Sequence, residues 1–157
     1  MTCLVDTNVL LRFADRTSPQ HTIARDAMRT LTLRSYDLCI TPQNGIEFWS
    51  TATRPKENNG FGLSVAVANR RLRLLERVLT LIPDDAGIYK RWRVLVQEVG
   101  VTGKQVHDAR LVAVMLTNNI QNILTFNGVD FARFVAQGIT VLDPLSFALP
   151  KEINETL

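Results

Sequence analysis

No window of this 157-residue chain approaches the roughly 18 consecutive apolar residues that a membrane-spanning helix needs. The amino end lacks a basic segment followed by an apolar one, so no secretory leader is expected. A cytoplasmic location, away from membranes, is the expectation. Cysteine is scarce: Cys3 and Cys39 stand alone, each inside an apolar run. A cysteine-based metal site would need closer spacing and more ligands. The two thiols are expected to be reduced, buried and small. No internal repeat, low-complexity tract or linker interrupts the sequence. One domain over residues 1–150 is therefore expected, with residues 151–157 as a fraying tail.

What is present is ordinary in bulk. Apolar residues make up 46% and charged residues 21%, which excludes a largely disordered chain. The net charge of +3 and pI near 9.2 are compatible with a nucleic-acid partner without demonstrating one. The positive charge is clustered. Arg70, Arg71, Arg73 and Arg77 crowd one stretch, and Lys90, Arg91 and Arg93 surround Trp92. Each cluster is either a solvated helix face or a rim that contacts phosphates.

Short apolar runs alternate with helical periodicity. Residues 2–6, 37–41, 122–126 and 139–142 read as buried strands, with a further short strand at 79–82. Helices are expected over 7–15, capped by Thr7 or Asn8, and over 20–33, opened by Ser18 and Pro19. More follow over 43–53 after Pro42, over 63–78, over 85–99 behind Asp84 or Asp85, and over 104–118. Asp130 should cap a brief helix before Phe131. Residues 54–62, rich in Pro, Gly and Asn, form the one long loop. This alternation argues for an α/β fold, a central parallel sheet with helices on both faces.

Carboxylates recur where this fold gathers side chains. Asp6 ends the first strand, Glu47 lies in the helix after the second, Asp108 lies early in the helix before the third, and Asn127 and Asp130 follow that strand. Alone, Asp6 is a helix cap, Asp108 a solvated helix residue and Asp130 another cap. Together, in a partly buried crevice, such groups repel one another unless a cation balances them. Hard oxygen ligands suit Mg²⁺ or Mn²⁺, which can activate water and stabilise displacement at phosphorus. His107 points away from its neighbour Asp108 on a helix and is assigned to structure; His21 has no role.

The stretches Leu4-Val5-Asp6-Thr7-Asn8-Val9-Leu10-Leu11, Asn44-Gly45-Ile46-Glu47-Phe48-Trp49, His107-Asp108-Ala109-Arg110-Leu111, Ile123 to Phe131 and Gly138 to Pro144 occur in the order of a PIN domain. The resemblance spans nearly the whole chain, and the size resembles the VapC-type toxins of toxin–antitoxin pairs. It implies a PIN-like α/β/α sandwich with a parallel sheet of four or five strands. It also implies a Mg²⁺- or Mn²⁺-dependent endoribonuclease that leaves a 5′-phosphate and a 3′-hydroxyl. By the same resemblance Asp6, Asp108 and Glu47 bind metal, Asp130 joins them as a catalytic acid, and Asn8, Thr125 and Asn127 order the site. Many relatives carry Asp where this chain has Asn127. Arg54, Lys56, Phe61, Arg70, Arg71 and Arg73 are candidate RNA contacts. A cognate antitoxin is implied, entering the acidic groove with an arginine, as is a homodimer through residues 43–53 and 63–79.

Two other readings stand beside it. A phosphoaspartyl phosphatase would want a second Asp two residues after the first, where this chain has Asn8. A PIN-like module that has lost activity would still bind RNA or protein, and Asn127 is the feature that favours it.

Overall fold

The computed structural model describes residues 1–147. Five short strands, β1 (Thr2–Val5), β2 (Asp37–Ile40), β3 (Thr80–Leu81), β4 (Asn122–Leu124) and β5 (Thr140–Leu142), make one all-parallel sheet in the order β3-β2-β1-β4-β5. Seven α-helices accompany them among the described residues. They are α1 (Thr7–Ala14), α2 (His21–Leu33), α3 (Pro42–Thr53), α4 (Val65–Val78), α5 (Gly87–Val99), α6 (Val106–Thr117) and α7 (Gly128–Ala132). The expected α/β architecture is present, with five strands. The expected tail, 151–157, lies outside the described residues.

The strands read as unbroken apolar runs because both sheet faces are covered. Cys3 and Val5 point into one core and Leu4 into the other; Leu38 and Ile40 oppose Cys39 in the same way. α1 to α4 supply the first core, including the fully buried Phe48, Ala52 and Ala68. α5, α6 and α7 supply the second, with Leu111, Val112, Met115 and Phe131. The two cysteines therefore lie on neighbouring strands but opposite faces. Cys39 Sγ meets the Cys3 carbonyl oxygen at 3.5 Å, both thiols are free, and burial pushes each up to about 12.

Several boundaries differ from the sequence reading. Asp6, not Thr7 or Asn8, caps α1: its backbone is extended and its carboxylate accepts from the Thr7 N–H. Ser18 and Pro19 do not open α2 but form a turn, closed by His21 N–H to the Ser18 carbonyl, before a non-helical Gln20. Asn127, not Asp130, stands at the cap position of α7, which puts Asp130 inside the first turn. The residues 104–118 divide into a single tight turn, Gly103–Gln105, followed by α6. Asp85 accepts from Gly87 N–H at 2.6 Å at the start of α5, whereas Asp84 turns away to pair with Arg110.

Residues 54–62 are not free loop. Phe61 N–H bonds the Thr51 carbonyl and Leu63 N–H the Ala52 carbonyl, both at 2.9 Å, which lays the segment back along α3. Gly60 allows this: a Cβ there would stand 2.0 Å from the Arg54 carbonyl oxygen. Phe61 is half-buried and packs against the first core.

The topology places the site. β1 is central, with β2 on one side and β4 on the other, so the chain reverses its direction of sheet growth beside β1. Open parallel sheets bind ligands at such a switch, outside the carboxyl ends of the strands. Asp6 follows β1 there, and Thr125 follows β4.

Candidate active site

Asp6 is 7% exposed and saturated with donors. Its Oδ1 accepts from Thr7 N–H at 2.7 Å, and its Oδ2 accepts from Asn8 Nδ2 at 2.9 Å and from Thr125 Oγ1 at 2.7 Å. The Thr125 hydroxyl in turn accepts from Asn8 Nδ2 at 3.1 Å and from Asn127 N–H at 3.0 Å. Asn8 Oδ1 accepts from Phe126 N–H at 3.1 Å. Asn8 and Thr125 thus stitch the end of β1 to the end of β4.

Glu47 lies in the second turn of α3. Thr41 and Asn44 form a reciprocal capping box at its start, and Pro42 occupies the first helical position, where its missing N–H costs nothing. The carboxylate is gripped at both oxygens: Thr7 Oγ1 donates to Oε2 and Gln43 Nε2 to Oε1, each at 2.8 Å. Asn44 Nδ2 donates to Thr7 Oγ1 at 3.1 Å, extending the chain of bonds into the core.

Asp108 sits half-buried in the first turn of α6. Burial raises its carboxyl from 3.8 to about 6, helped by the charges of Asp130 and Glu47 and opposed by Arg133 and His107. Asp6 is also raised to about 6. Burial is again the main cause, its bonds to Thr125 and Thr7 work against it, and Asp108 and Glu47 add repulsion. The acids therefore sense one another across a common space. That space is a cleft of about 460 Å³ lined by Asp6, Asn8, Glu47, Asp108, Asn127 and Arg54, with Thr7, Leu11, Ile46, Ser50 and Thr51 completing the wall.

Asp130 is half-buried and acts on Asp108 by its charge, but it is not part of the cleft lining. Arg54 stands on the rim, with Nη2 donating to Thr51 Oγ1 at 3.1 Å. Lys56 is exposed on the folded-back segment. Arg70 and Arg73 are exposed on α4 and do not line the cleft. Arg71 lines a different cavity, of about 670 Å³, beside Phe13, His21 and Leu74. The His107 side chain is exposed, and its carbonyl accepts a bond from Gln43.

The cleft gathers the carboxylates of Asp6, Glu47 and Asp108, which are hard oxygen ligands, and burial with mutual repulsion raises Asp6 and Asp108. Those features fit a divalent cation. Among the described residues no group of three or more acidic, histidine or cysteine side chains lies close enough together to hold a metal ion by itself. The fit is thus to an ion such as Mg²⁺, which keeps several of its own waters.

The sequence reading missed Gln43, Asn44 and Arg110, and it gave Thr7 only a capping role. Two signals were available. Gln43 precedes Glu47 by four residues, so both lie on one helix face. Thr41 and Asn44 have the spacing of a capping box. Arg110 gave no signal, since its partners come from two other segments.

A family model described as PIN domain matches residues 3–136. No curated protein matches the chain in sequence. Among solved structures, the chain is similar to VapBC2 from Rickettsia felis, bound to a promoter DNA fragment. The TM-score is 0.69 at 14% identity, covering 91% of this chain and 98% of that one. It is similar to a toxin–antitoxin complex from Klebsiella pneumoniae, with TM-score 0.59, 24% identity and coverage of 90% and 97%. It is also similar to VapC20 from Mycobacterium tuberculosis, described as a sarcin-ricin loop cleaving toxin. There the TM-score is 0.62 at 20% identity, covering 88% and 96%.

Proposed function

Because the chain belongs to the PIN domain family, we propose that it is a divalent-metal-dependent endoribonuclease and the toxin of a VapBC-like pair. The observation that carries this reading is the convergence of Asp6, Glu47 and Asp108 on one cleft at the carboxyl edge of the sheet, with two of the three carboxyls raised to about 6. The similar structures support an RNA substrate and an antitoxin partner, since one is described as cleaving the sarcin-ricin loop and another is a toxin–antitoxin complex.

Asp6 and Asp108 would hold Mg²⁺ or Mn²⁺, with Glu47 contributing to its binding. When bound there, a divalent cation would supply a more acidic water and a positive charge to set against the scissile phosphate. Asn8, Thr125 and Thr7 keep Asp6 and Glu47 from swinging. Glu47, gripped at both oxygens, orients the attacking water by accepting its hydrogen bond. Water adds at phosphorus, the bond to the 3′ oxygen breaks, and that oxygen leaves with a proton as a 3′-hydroxyl. Asp130 strengthens the negative field through Asp108, and Asn127 contacts the cleft as a neutral group. Arg54 on the rim is the best-placed RNA contact; Lys56 and Phe61 flank it, and Arg70, Arg71 and Arg73 reach only a longer RNA.

The homodimer surface is the groove between α3 and α4, about 420 Å³, where Ile46, Trp49, Leu72 and Leu81 gather. Ile46, in this groove, is 71% exposed and Val65, at the start of α4, 66%. Light scattering that finds only monomer at micromolar concentration removes this assignment. Among the described residues no helix is long and apolar enough to cross a membrane.

The test is cleavage of a mixed, labelled RNA pool by the unmodified protein and by Asp6→Asn, each with Mg²⁺, Mn²⁺ or EDTA. Cutting by the unmodified protein alone, and only with metal, is expected. The open ligand set and Asn127 favour the second reading, an inactive binding module. RNA binding without cutting by either folded protein selects it.

A further inference from the structure

Gln43 is 8% exposed, and from α3, the helix that carries Glu47, its side chain reaches α6, which carries Asp108. Its Nε2 donates to Glu47 Oε1 at 2.8 Å and to the His107 carbonyl at 2.9 Å. Its Oε1 accepts from Arg110 Nη1 at 3.2 Å. Arg110 Nη2 is itself held by Asp84 Oδ1 at 3.0 Å. The orientation of the amide is fixed by this company. Turned over, its oxygen would face a carboxylate and a carbonyl, and its NH₂ would face a guanidinium.

The contacts have a pattern. His107 immediately precedes Asp108 and Arg110 follows it by two residues, so one amide grips α6 on both sides of the metal-facing acid. The same amide holds Glu47 one turn along its own helix. An amide is the only uncharged side chain with two donors for Glu47 and His107 and an acceptor for Arg110. A carboxylate there would add a like charge against Glu47 and lose both donors.

We propose that Gln43 is the positioning residue of this site, setting the placement of Glu47 relative to Asp108 by binding Glu47 and the backbone of α6 at once. This rests on the metal-nuclease reading above. Gln43 touches neither metal nor RNA and acts through Glu47. Arg110 is its anchor, itself held by Asp84.

Gln43→Met preserves the volume and removes all three bonds. Two readouts are needed: Mn²⁺ binding to RNA-free protein by calorimetry, and the Mg²⁺ concentration for half-maximal cleavage of a labelled RNA pool. Both should weaken about 10- to 100-fold, the usual cost of losing an outer partner of a metal site. The same substitution in a Glu47→Ala background should cost no further than about twofold, because the residue it acts through is gone. A purely structural Gln43 would cost the same in both backgrounds, and that result overturns the proposal. So does Gln43→Met with unchanged Mn²⁺ binding. Arg110→Met, which keeps the bond to Glu47, provides a milder variant should Gln43→Met fail to fold. Its smaller loss should likewise vanish in Glu47→Ala, and equal loss in both backgrounds again overturns the proposal. If the unmodified protein neither binds Mn²⁺ nor cuts RNA with metal, the nuclease reading itself falls and takes this inference with it. That failure is recognised because it appears before any substitution.

Discussion

The end of β1 and the start of α6 deliver a carboxylate to the same cleft by opposite means. Asp6 is nearly sealed, and three donors fix its two oxygens. Asp108 is half-exposed, and among the described residues only charges act on it besides burial. Both carboxyls still rise to about 6. In Asp6 strong burial outweighs favourable bonds; in Asp108 milder burial is reinforced by repulsion from Asp130 and Glu47. Asp6 is thus a rigid post built into the sheet, whereas Asp108 has its position from α6, whose backbone the Gln43 amide binds at the His107 carbonyl. A similar proton affinity conceals different mechanical support.

The largest effect should come from removing the post. Asp6→Asn should lower metal-dependent RNA cleavage by more than about 100-fold, beyond the range typical of outer partners. It also sets a new NH₂ against Asn8 Nδ2, so unfolding temperature should not rise. Asp108→Asn should lower cleavage comparably, yet raise the metal-free unfolding temperature by about 2–4 °C because a repelled charge is gone and no bond is lost. Identical thermal shifts in the two variants would erase the contrast.

Thr125→Val tests the support of the post alone. It removes the donor to Asp6 Oδ2 and the acceptor used by Asn8 and Asn127. A loss of about 1–3 kcal/mol in denaturant unfolding is expected. Cleavage should also fall about 10- to 100-fold at saturating RNA. Stability equal to the unmodified protein would mean the hydroxyl is not tying β1 to β4.

The pH dependence applies to both carboxyls together. Unfolded, each titrates near 3.8; folded and metal-free, near 6. Between those values the folded state binds more protons, so metal-free stability should decline as pH rises from about 4 to 6 and then level off. Cation binding needs the ionised forms and should strengthen over the same interval. Melting curves across pH 4–8, with and without Mn²⁺, should therefore diverge above about pH 6. Parallel curves would dissociate the carboxyls from the cation.

The smallest effect belongs to the rim. Gly60→Ala must push the folded-back segment off the Arg54 carbonyl. RNA binding should weaken a few-fold and the salt slope should fall by about one phosphate contact. An unaltered slope would mean that the folded-back segment does not hold Arg54 against a phosphate.

The sheet was legible from apolar runs bounded by turn residues, and so were Asp6, Glu47 and Asp108, because strand ends and helix starts meet at one edge in any parallel sheet. The caps were less so. Asp6 serves as cap and cleft residue at once, which local spacing does not distinguish from a cap at Thr7. Arg71 illustrates a different limit: a basic run along α4 says nothing of which cavity its helix borders. The pairing of Gln43 with Glu47 was open to helix spacing, but its bonds to His107 and Arg110 were not, since they span more than sixty residues of chain.

The bond from Thr125 to Asp6 closes a separation of 119 residues. Chains are synthesised from the amino end at about 5–20 residues per second, so Asp6 waits about 6–24 s for the hydroxyl that fixes it. β1 can find β2 far earlier, but its other flank stays open until β4 emerges. The growing polypeptide therefore carries the carboxylate of Asp6 almost from the outset but lacks the hydroxyl that fixes it until the last strands arrive.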